Sequence, residues 1–433
     1  MANKRIQKNK KQGTVAIIGL GYVGLPLACL AAEKGYQVFG IIKNKSKAEM
    51  INAGQCPIDD ARLKRWLKKV SLDATTDWSV IRNVKTIVIC VPTPIDSLNN
   101  PDFGPLIDAC SNIARYLKKG QLVIIESTIN PGVCEEIIKP ILEKSRLKAS
   151  RDFGLTHCPE RINPGDPKWT VRNIPRVVGG YTPKDRDRAV RFYESIIEAG
   201  IRPMQSLKAA EATKVIENSF RDVNIAFVNE VAQSFAKMGI DAVDVINGAK
   251  TKPFAFMAHY PSCGVGGHCI PVDPYYLIER AKKSGFDHKF LKLAREINNG
   301  MPKYTVDLLI DALNERGRAV KGCRIGLLGL AYKADIDDTR ESPSYVIKSL
   351  LEALGARVEV YDPHVPKQST VDSLEALLKR VEVIILATNH QEFLYLNGRL
   401  LKRNGIQVVV DGKNALPKDE IIKAGIVYRG IGH

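Results

Sequence analysis

The sequence predicts an α/β protein in which two doubly wound parallel sheets are joined by a long central helix and a helical middle region. Two observations lead to this prediction. Short apolar runs alternate with helix-like segments towards both ends of the chain, and an uninterrupted helical pattern occupies the middle. Alternating strands and helices are typical of parallel sheets covered by helices. At 433 residues, the chain is long enough for more than one hydrophobic core.

The first sheet begins near residue 14. Val15–Ile18 is a short apolar run of the kind that forms a buried parallel strand, and Gln37–Ile42 supplies the next strand. Leu25–Lys34, between them, has the character of an apolar helix. Further strands are predicted at Thr86–Val91 and Leu122–Ile125. We expect this α/β unit to extend to residue 206.

A glycine-rich turn separates the first strand from the first helix. Gly19, Gly21 and Gly24 form the pattern G-x-G-x-x-G, with Tyr22 and Val23 inside it. Such glycines permit a tight turn and the close approach of a pyrophosphate, and the helix N-terminus offers N–H groups to phosphate. Because a strand precedes the turn and a helix follows it, a dinucleotide-binding (Rossmann) unit is favoured over a bare turn.

The position that contacts the adenosine ribose departs from the usual pattern. NAD-binding units carry an acidic residue about 20 positions beyond the turn, and Ile42 stands there in this chain. Lys43 follows and could accept a 2′-phosphate, whereas Asn44 or backbone groups could hold an unphosphorylated ribose. We expect NAD as the cofactor, with NADP as the alternative.

The middle of the chain is helical, and a second α/β unit follows it. Ala209–Met238 spaces its apolar residues mostly three and four apart without Gly or Pro, which predicts a helix long enough to bridge domains or to pack against its copy in a dimer. The second unit is predicted to contain a helix at Tyr345–Leu354 and strands at Arg324–Leu328, Arg357–Tyr361, Val381–Ala387 and Ile406–Val410. We expect four parts: a disordered basic tail at 1–12, a dinucleotide-binding domain at 13–206, a central helical dimerisation domain at 207–302, and a C-terminal Rossmann-like domain at 303–433.

Composition argues against several classes of protein. No apolar run approaches the roughly 20 residues that cross a bilayer, and residues 1–12 lack the apolar stretch of a secretion signal. Nine irregularly spaced cysteines indicate a reducing compartment. The net charge of +17 raises nucleic acid as a partner, but the basic residues are interspersed through helix-like segments. We expect a cytoplasmic enzyme for small phosphorylated ligands, with neither nucleic acid nor membrane as a partner.

A glycine-rich loop at 263–274 carries the most reactive candidate residue. Cys269 lies beside His268 and four residues before Asp273, neighbours that can tune a thiolate or relay its proton. We therefore interpret Cys269 as a nucleophile and expect no metal. Two alternatives remain at this point. One is a loop that only reverses the chain, and the other is a zinc site, with a spacing that matches no common zinc pattern, from Cys263, His268, Cys269 and His259.

Ordered motifs along nearly the whole chain resemble those of a known family. They are Gly19–Gly24, Val91–Pro94, Glu126–Thr128, Pro159–Arg161, Lys214–Asn218, Gly266–Pro274, Leu330–Lys333 and Asp338–Pro343. Together they resemble the UDP-glucose/UDP-N-acetylhexosamine 6-dehydrogenases. The loop form GGHCIPVDP, with Arg221–Ala226, is similar to the N-acetylhexosamine branch. The runs at 251–254 and 361–366 look closest to UDP-N-acetylglucosamine 6-dehydrogenases, with UDP-N-acetylmannosamine dehydrogenases next.

The resemblance implies a four-electron oxidation of C6 of a UDP-N-acetylhexosamine, UDP-N-acetylglucosamine being favoured, with two NAD⁺ used in turn. Cys269 would attack the aldehyde, and the thiohemiacetal would be oxidised to a thioester that water hydrolyses. Lys214 and Asn218, one helical turn apart, would hold the reacting oxygen or a water. Glu160 would act as general base or organise the water, Asp273 would assist proton transfer, and Thr128 would contact the water.

The resemblance also implies ligand contacts and an assembly. The expected cofactor contacts are Gly19, Gly21, Tyr22, Val23, Gly24, Lys43, Pro92, Thr93 and Thr128. The expected substrate contacts are Glu160, Arg161, Lys214, Asn218, Arg221, Tyr260, Gly266, Lys333 and Arg340. A homodimer or a higher homo-oligomer is expected.

Three positions depart from the family pattern. Ile42 replaces the ribose-binding aspartate, Lys413 stands where arginine is frequent, and Ser262-Cys263 replaces a small pair before the loop. The second thiol leads us to hypothesise sensitivity to oxidation. UDP-N-acetylmannosamine or UDP-glucose remains an alternative substrate. Two other functions remain open: a two-electron hydroxyacid dehydrogenase, which has no use for a cysteine nucleophile, and a non-catalytic nucleotide or nucleic-acid binder.

Overall fold

The computed structural model describes residues 12–58, 60–96, 98–162 and 168–433, which form two compact units. The first unit runs to Glu217 and includes Tyr275–Gly285, and the second comprises Asn218–Pro274 and Phe286–His433. The predicted tail at 1–12 lies outside the described residues except for Gln12. The four-part division of the chain stays a prediction.

The first unit contains an eight-stranded sheet in which only the β6–β7 pair is antiparallel. The strand order is β3-β2-β1-β4-β5-β6-β7-β8. The strands are β1 Gly13–Ile18, β2 Tyr36–Ile41, β3 Asp73–Thr75, β4 Thr86–Ile89, β5 Leu122–Ile125, β6 Gly154–His157, β7 Arg176–Gly180 and β8 Ile201–Pro203. The helices are α1 Gly24–Glu33, α2 Lys45–Asn52, α3 Ala61–Leu67, α4 Gly104–Tyr116, α5 Lys139–Glu143 and α6 Pro183–Glu194.

This sheet buries apolar side chains on both faces, which explains why its strands are uninterrupted apolar runs. In β1, Val15 and Ile17 enter one core, while Ala16 and Ile18 enter the core on the opposite face. The alternation follows from the two-residue period of a strand. The order places β1 between β2 and β4, so the strand order changes direction at β1, beside the glycine turn, while these strands stay parallel.

The middle of the chain is helical, as expected. Its helices are α7 Leu207–Met238, α8 Ala242–Lys250, α9 Asp273–Lys283 and α10 Lys289–Asn314. Helix α7 has 32 residues and is therefore roughly 48 Å long. Among the described residues, no helix is both long and apolar enough to cross a membrane.

The second unit contains a five-stranded sheet with all neighbours parallel, in the order β10-β9-β11-β12-β13. Its strands are β9 Arg324–Leu328, β10 Arg357–Tyr361, β11 Val383–Leu386, β12 Val408–Asp411 and β13 Val427–Gly430. Its helices are α11 Pro343–Ala353, α12 Leu374–Arg380, α13 Gly398–Arg403 and α14 Lys418–Lys423. Apolar residues again alternate between two cores, with Val383 and Ile385 in one and Ile384 and Leu386 in the other.

Side-chain caps fix where several helices begin. Asp60, Thr182, Asp241, Ser342 and Ser373 each accept a hydrogen bond from a backbone N–H in the first turn of the helix that follows. Such a cap satisfies one of the four N–H groups that a helix start leaves without a partner and contributes about 1 kcal/mol.

The predicted fold class is confirmed: two parallel, Rossmann-like sheets and a helical middle region are present. The strands at Leu122–Ile125, Arg324–Leu328 and Arg357–Tyr361 have the predicted bounds. The strand predicted at Thr86–Val91 ends two residues earlier, at Ile89. The prediction was wrong there because the chain leaves the sheet at Cys90, just before Pro92.

The glycine turn yields a test of stability. A methyl group at Gly24 would collide with the carbonyl oxygen of Gly19 and meet Cys90, whereas nothing lies within 4 Å of one at Gly21. We expect Gly24→Ala to lower the free energy of unfolding by about 1–3 kcal/mol. Gly21→Ala, the matched control, should change it by less than about 0.5 kcal/mol. Thermal unfolding of both variants checks this, and equal melting temperatures would contradict it.

Candidate active site

The glycine turn has the geometry that a dinucleotide needs. Gly19 follows β1 with a φ of +88°, a value that favours glycine. Val23 precedes α1, and its aliphatic side chain makes no capping hydrogen bond, so no side-chain cap takes the N–H of Gly24 at the start of the helix. Leu25 N donates to Gly21 O at 3.1 Å, and Pro26 has no N–H. The open space beside Gly21 allows a pyrophosphate to approach the backbone. These residues fit the diphosphate of a dinucleotide.

Two loops at the carboxyl ends of β4 and β5 are linked by side-chain hydroxyls. Ser127 Oγ donates to Val91 O at 2.7 Å, and Thr93 Oγ1 donates to Thr128 O at 2.8 Å. The hydroxyl of Tyr276 donates to Thr93 O. The structure therefore brings together Thr93 and Thr128, two of the residues expected to contact the cofactor, beside the strand that precedes the glycine turn.

At the end of β2, the expected ribose carboxylate is replaced by a different arrangement. The side-chain oxygen of Asn44 caps α2 by accepting from Lys47 N at 3.0 Å. Lys43 Nζ lies 2.8 Å from a carboxylate oxygen of Asp108 on α4, and both side chains are exposed. A carboxylate thus stands next to Lys43, although it comes from a helix 65 residues further along the chain.

Glu160, after β6, is held by backbone and by a buried arginine. Its Oε1 accepts hydrogen bonds from the N–H groups of Arg161 and Ile162 at 2.6 and 2.9 Å. Its Oε2 lies 2.5 Å from Nη2 of Arg176, which starts β7 and is completely buried. Both oxygens of Glu160 are therefore engaged, and its carboxylate has one fixed orientation.

A second carboxylate shares this arginine. Glu126 Oε1 lies 3.4 Å from Arg176 Nη1 and accepts from the hydroxyl of Tyr193 at 2.5 Å. Burial raises the pKa of Glu126 to about 7; Glu160 adds to the increase, and Arg176 opposes it. Two buried carboxylates around one guanidinium leave an excess negative charge, which favours a bound proton on Glu126.

Arg161 does not pair with the neighbouring Glu160. Its guanidinium binds Glu217 of α7, with Nε at 3.0 Å and Nη2 at 2.5 Å from the two carboxylate oxygens, and also donates to Pro175 O at 3.0 Å. These contacts fix Arg161 within the first unit. Lys214 is buried one turn before Asn218 on the same helix.

In the second unit, the cysteine loop closes on the start of α9. Asp273 N donates to Cys269 O at 2.8 Å, so the nucleophile candidate sits in a tight turn four residues before Asp273. The buried Asn218 Nδ2 donates to Asp273 Oδ2 at 2.5 Å. Asn218, Cys269 and Asp273, three of the expected catalytic residues, are thereby brought together, and their roles stay predictions.

The glycines of this loop pack against Tyr332. A methyl group at Gly266 would lie 2.6 Å from Tyr332 Cβ and 2.9 Å from Glu341 O, so a larger residue cannot occupy this position without displacing backbone. Gly267 N donates to Arg340 O at 2.9 Å. The loop with the cysteine and the loop with Lys333 and Arg340 are therefore joined.

Arg340 lies close enough to the nucleophile candidate to affect its charge. A bidentate hydrogen bond to Asp338 is the main cause that raises the pKa of Arg340, and the negative charge of Cys269 contributes to the same increase. The charges of Arg340 and of a Cys269 thiolate would therefore attract each other.

Cys263 is buried beneath the loop. Its Sγ donates to Ala387 O at 3.4 Å and faces Gly412, and burial raises its pKa. A buried neutral thiol of this kind packs as a small apolar group. This geometry weighs against Cys263 as a zinc ligand and against the hypothesis that it makes the protein sensitive to oxidation.

Two expected substrate residues lie at the surface of the second unit. Arg221 is exposed, and Tyr260 is 42% exposed with its hydroxyl donating to Asn247 Oδ1 at 2.8 Å. The hydroxyl of Tyr260 is thus directed to α8, and the roles of both residues stay predictions.

Several positioning residues were missed by the sequence analysis. The clearest is Arg176, and its signal is a charged residue opening an otherwise apolar strand. Asp222 is another, since its carboxylate binds Arg295 Nη1 at 2.5 Å and Asn298 Nδ2 at 2.8 Å. Asn229 Nδ2 donates to Asn298 Oδ1, and Asn229 Oδ1 accepts from the N–H of Ser262. These hydrogen bonds connect Asp222 with the start of the cysteine loop.

Models of three domains match successive parts of this chain. They describe the NAD binding domain, central domain and UDP binding domain of the UDP-glucose/GDP-mannose dehydrogenase family, and match residues 13–197, 208–300 and 326–418. The chain belongs to this family. It is therefore an oxidoreductase that acts on a UDP-sugar and uses an NAD-binding domain, as the sequence predicts.

Individual relatives of this chain are named as dehydrogenases of UDP-N-acetylhexosamines, but they differ in the sugar that is named. A UDP-N-acetyl-D-glucosamine 6-dehydrogenase of Pseudomonas aeruginosa is 38% identical over 94% of this chain and 98% of its own length. A UDP-N-acetyl-D-mannosamine dehydrogenase of Pyrococcus horikoshii is 35% identical over 96% of this chain and 99% of its own. The solved structure of a UDP-D-ManNAc dehydrogenase from P. horikoshii superimposes with a TM-score of 0.91 at 35% identity, covering 97% of this chain and 99% of that one.

The raised pKa of Glu126 predicts a pH-dependent stability. Between pH 4.5, the usual pKa of a glutamate, and pH of about 7, Glu126 is deprotonated in the unfolded state but keeps its proton in the folded state. The free energy of unfolding therefore falls as pH rises through that range. Glu126→Gln removes the effect. We expect the stability of the variant relative to wild type to increase by up to about 3 kcal/mol between pH 5 and pH 8.

Thermal unfolding at intervals of one pH unit measures this difference. Glu49→Gln, which replaces an exposed glutamate on α2, is the matched control and should differ from wild type by the same amount at every pH. A Glu126→Gln difference that is equally constant would show that Glu126 is ionised throughout the range.

Proposed function

We propose that this protein oxidises C6 of a UDP-N-acetylhexosamine from alcohol to carboxylate through a thioester on Cys269, with UDP-N-acetylglucosamine as the favoured substrate. The observation that supports this most directly is the cluster in the second unit. Cys269 sits in a tight turn with Asp273, Asp273 accepts from Asn218, and Arg340 lies close enough to Cys269 for their charges to interact. A two-electron dehydrogenase has no need of such a cysteine.

The first oxidation requires the hydroxyl proton of C6 to leave with a base while a hydride leaves carbon. NAD⁺, when bound, would supply the hydride acceptor, with one molecule of NAD⁺ for each of the two oxidations. Lys214 and Asn218, on consecutive turns of α7, are suited to hold the reacting oxygen because an ammonium and an amide stabilise developing negative charge. The hydrogen bond to Asp273 fixes the orientation of the Asn218 amide.

The second oxidation begins when the thiolate of Cys269 adds to the aldehyde carbon and forms a thiohemiacetal. Loss of a hydride from that carbon, with loss of the hydroxyl proton, gives the thioester. Water then adds to the thioester carbonyl, the C–S bond breaks, and the thiolate leaves with the carboxylate as product. Keeping the aldehyde on sulfur prevents its release.

We assign Glu160 to the hydrolytic step as the group that orients water. Because both of its oxygens are engaged by Arg176 and by two backbone N–H groups, it is better suited to accept a hydrogen bond in a fixed direction than to move. Thr128 lies at the end of the neighbouring strand and is assigned to the same water.

The remaining assignments follow from local features. We propose that the glycine turn binds the diphosphate of NAD, and that Lys333 and Arg340 contact the UDP-sugar. Ile216, Phe220 and Phe227 are 48–57% exposed on α7, which supports a homodimer formed through this helix. Buried thiols such as Cys29 and Cys110 suit a reducing compartment, so we place the reaction in the cytoplasm.

The test is the amount of NADH formed per UDP-sugar consumed, with UDP-N-acetylglucosamine, UDP-N-acetylmannosamine, UDP-N-acetylgalactosamine and UDP-glucose. We expect two NADH per molecule with a UDP-N-acetylhexosamine. Cys269→Ser should lower kcat at least 100-fold, since the thioester cannot form. Cys263→Ala, which removes the other thiol of the same segment, is the matched control and should retain two NADH. One NADH per substrate with wild type would overturn the mechanism.

Cofactor choice gives a separate prediction at Lys43. Asp108 neutralises this lysine and would repel a 2′-phosphate, so we propose that NAD is used in preference to NADP. Asp108→Asn should lower KM for NADP⁺ by about threefold to tenfold, which corresponds to about 0.6–1.4 kcal/mol for an exposed pair. KM for NAD⁺ should change by less than twofold.

Lys43→Met is the opposing variant, and it should raise KM for NADP⁺ whether or not Asp108 is present. Steady-state kinetics with both cofactors at low ionic strength provide the measurement. If Asp108→Asn left KM for NADP⁺ unchanged, the pair would have no part in cofactor choice.

A further inference from the structure

We propose that the second unit also carries a binding site for a divalent transition-metal ion, formed by Asp335, His364 and Glu392. The ion expected from the ligand chemistry is zinc. None of these residues belongs to the assigned active site, and the inference does not depend on which reaction the protein catalyses.

The three side chains meet at one edge of the second sheet. Asp335 lies in the loop after β9, His364 follows β10, and Glu392 follows β11. His364 Nε2 lies 3.9 Å from Asp335 Oδ1 and 3.5 Å from Glu392 Oε1, and all donor atoms of the cluster lie within 4.8 Å of one another. Ligand bonds of about 2.0–2.2 Å place donor atoms roughly 3–3.5 Å apart, so small movements of the two exposed carboxylates complete the site.

The strongest sign of a ligand is the ring nitrogen of His364. His364 Nε2 is buried at the level of the atom and makes no hydrogen bond, although two carboxylates lie within 4 Å. Buried polar atoms are nearly always paired, and one without a partner needs an explanation such as an ion. A cation between the nitrogen and the two carboxylates satisfies all three groups together.

A fourth residue, His390, orients the site without joining it. Its completely buried ring has Nε2 at 3.1 Å from Asp362 Oδ2, and its Nδ1 accepts from the N–H of Asp335 at 2.9 Å. Both nitrogens are therefore used. The ring centroids of His364 and His390 are 4.7 Å apart, so His390 supports both the backbone of one ligand and the ring of another.

The donor set favours zinc over the alkaline-earth ions. Mg²⁺ and Ca²⁺ prefer oxygen ligands alone, whereas an imidazole nitrogen with carboxylates suits Zn²⁺ and neighbouring transition metals. Three protein ligands leave a coordination position for water. Because Asp335 lies two residues after Lys333, a bound ion would also restrain the loop that carries Lys333.

The experiment uses the full-length protein, dialysed against a chelator and then titrated with Zn²⁺ by calorimetry. Every protein in the titration carries Cys269→Ser, which removes the most accessible thiol of the active site, and the protein with this change alone is called wild type here. We expect it to bind one ion per chain. His364→Ala and Glu392→Gln should each weaken binding at least tenfold. His288→Ala, a histidine at the start of α10 in the same unit, is the matched control and should bind as wild type does. Circular dichroism establishes that each variant is folded.

Two further readouts decide between the ion and a simpler arrangement. Zn²⁺ should raise the melting temperature of wild type and of His288→Ala but not of His364→Ala. With Co²⁺ as the probe, the absorption spectrum should lack thiolate bands. If His364→Ala binds Zn²⁺ as tightly as wild type, if wild type binds none, or if thiolate bands appear, the site is overturned and the cluster is a histidine that lies between two carboxylates without an ion.

Discussion

Burying a carboxylate costs free energy unless its oxygens receive hydrogen bonds or lie next to a positive charge. In both sheets, buried carboxylates follow the carboxyl ends of strands, where the loops of the candidate site begin. In the first unit, Glu126 and Glu160 share Arg176 just beyond β5 and β6. In the second unit, Asp362 accepts from the N–H groups of Leu330 and Ala331, so the carboxyl end of β10 holds the loop after β9. Although burial opposes it, hydrogen bonds from His390 and from these backbone groups lower the pKa of Asp362 to about 2. Moving one of these loops would separate a buried carboxylate from its partners, so these contacts hold the loops in place.

The same constraint shapes the segments around the cysteine. The loop itself is rich in glycine and packs against Tyr332, so it has few side chains of its own to fix its position. Its support comes from beneath, through the hydrogen-bonded chain that starts at the ion pair of Asp222 and Arg295 and ends at the N–H of Ser262. The glycine-rich loop that carries Cys269 is thereby supported by a buried polar network, which suits the covalent role that we propose for this residue.

The sequence predicts the sheets well because a parallel strand buried on both faces must be apolar throughout, as in Leu122–Ile125. The family resemblance names Asn218 and Asp273 as separate candidates, but their hydrogen bond is seen only in the structure. The sequence cannot predict Arg176, because the partners of this residue lie 16 and 50 positions away and are brought to it by the order of β5, β6 and β7. Nor can it predict that Asp108 pairs with Lys43, since that contact depends on where α4 packs beside the end of β2. Local pattern determines the elements, and strand order determines which charges meet.

Added salt should affect buried and exposed ion pairs of this protein differently. The group formed by Glu126, Arg176 and Glu160 is buried, whereas the pair of Lys43 and Asp108 is exposed. Mobile ions screen charges over about 8 Å at physiological ionic strength, but they act mainly on charges that water reaches. Added salt therefore leaves the orientation of Glu160 unaffected, while it weakens the exposed pair of Lys43 and Asp108 beyond β2. If Lys43 contacts the cofactor as we propose, ionic strength alters the preference between NAD and NADP while leaving the geometry around Glu160 intact.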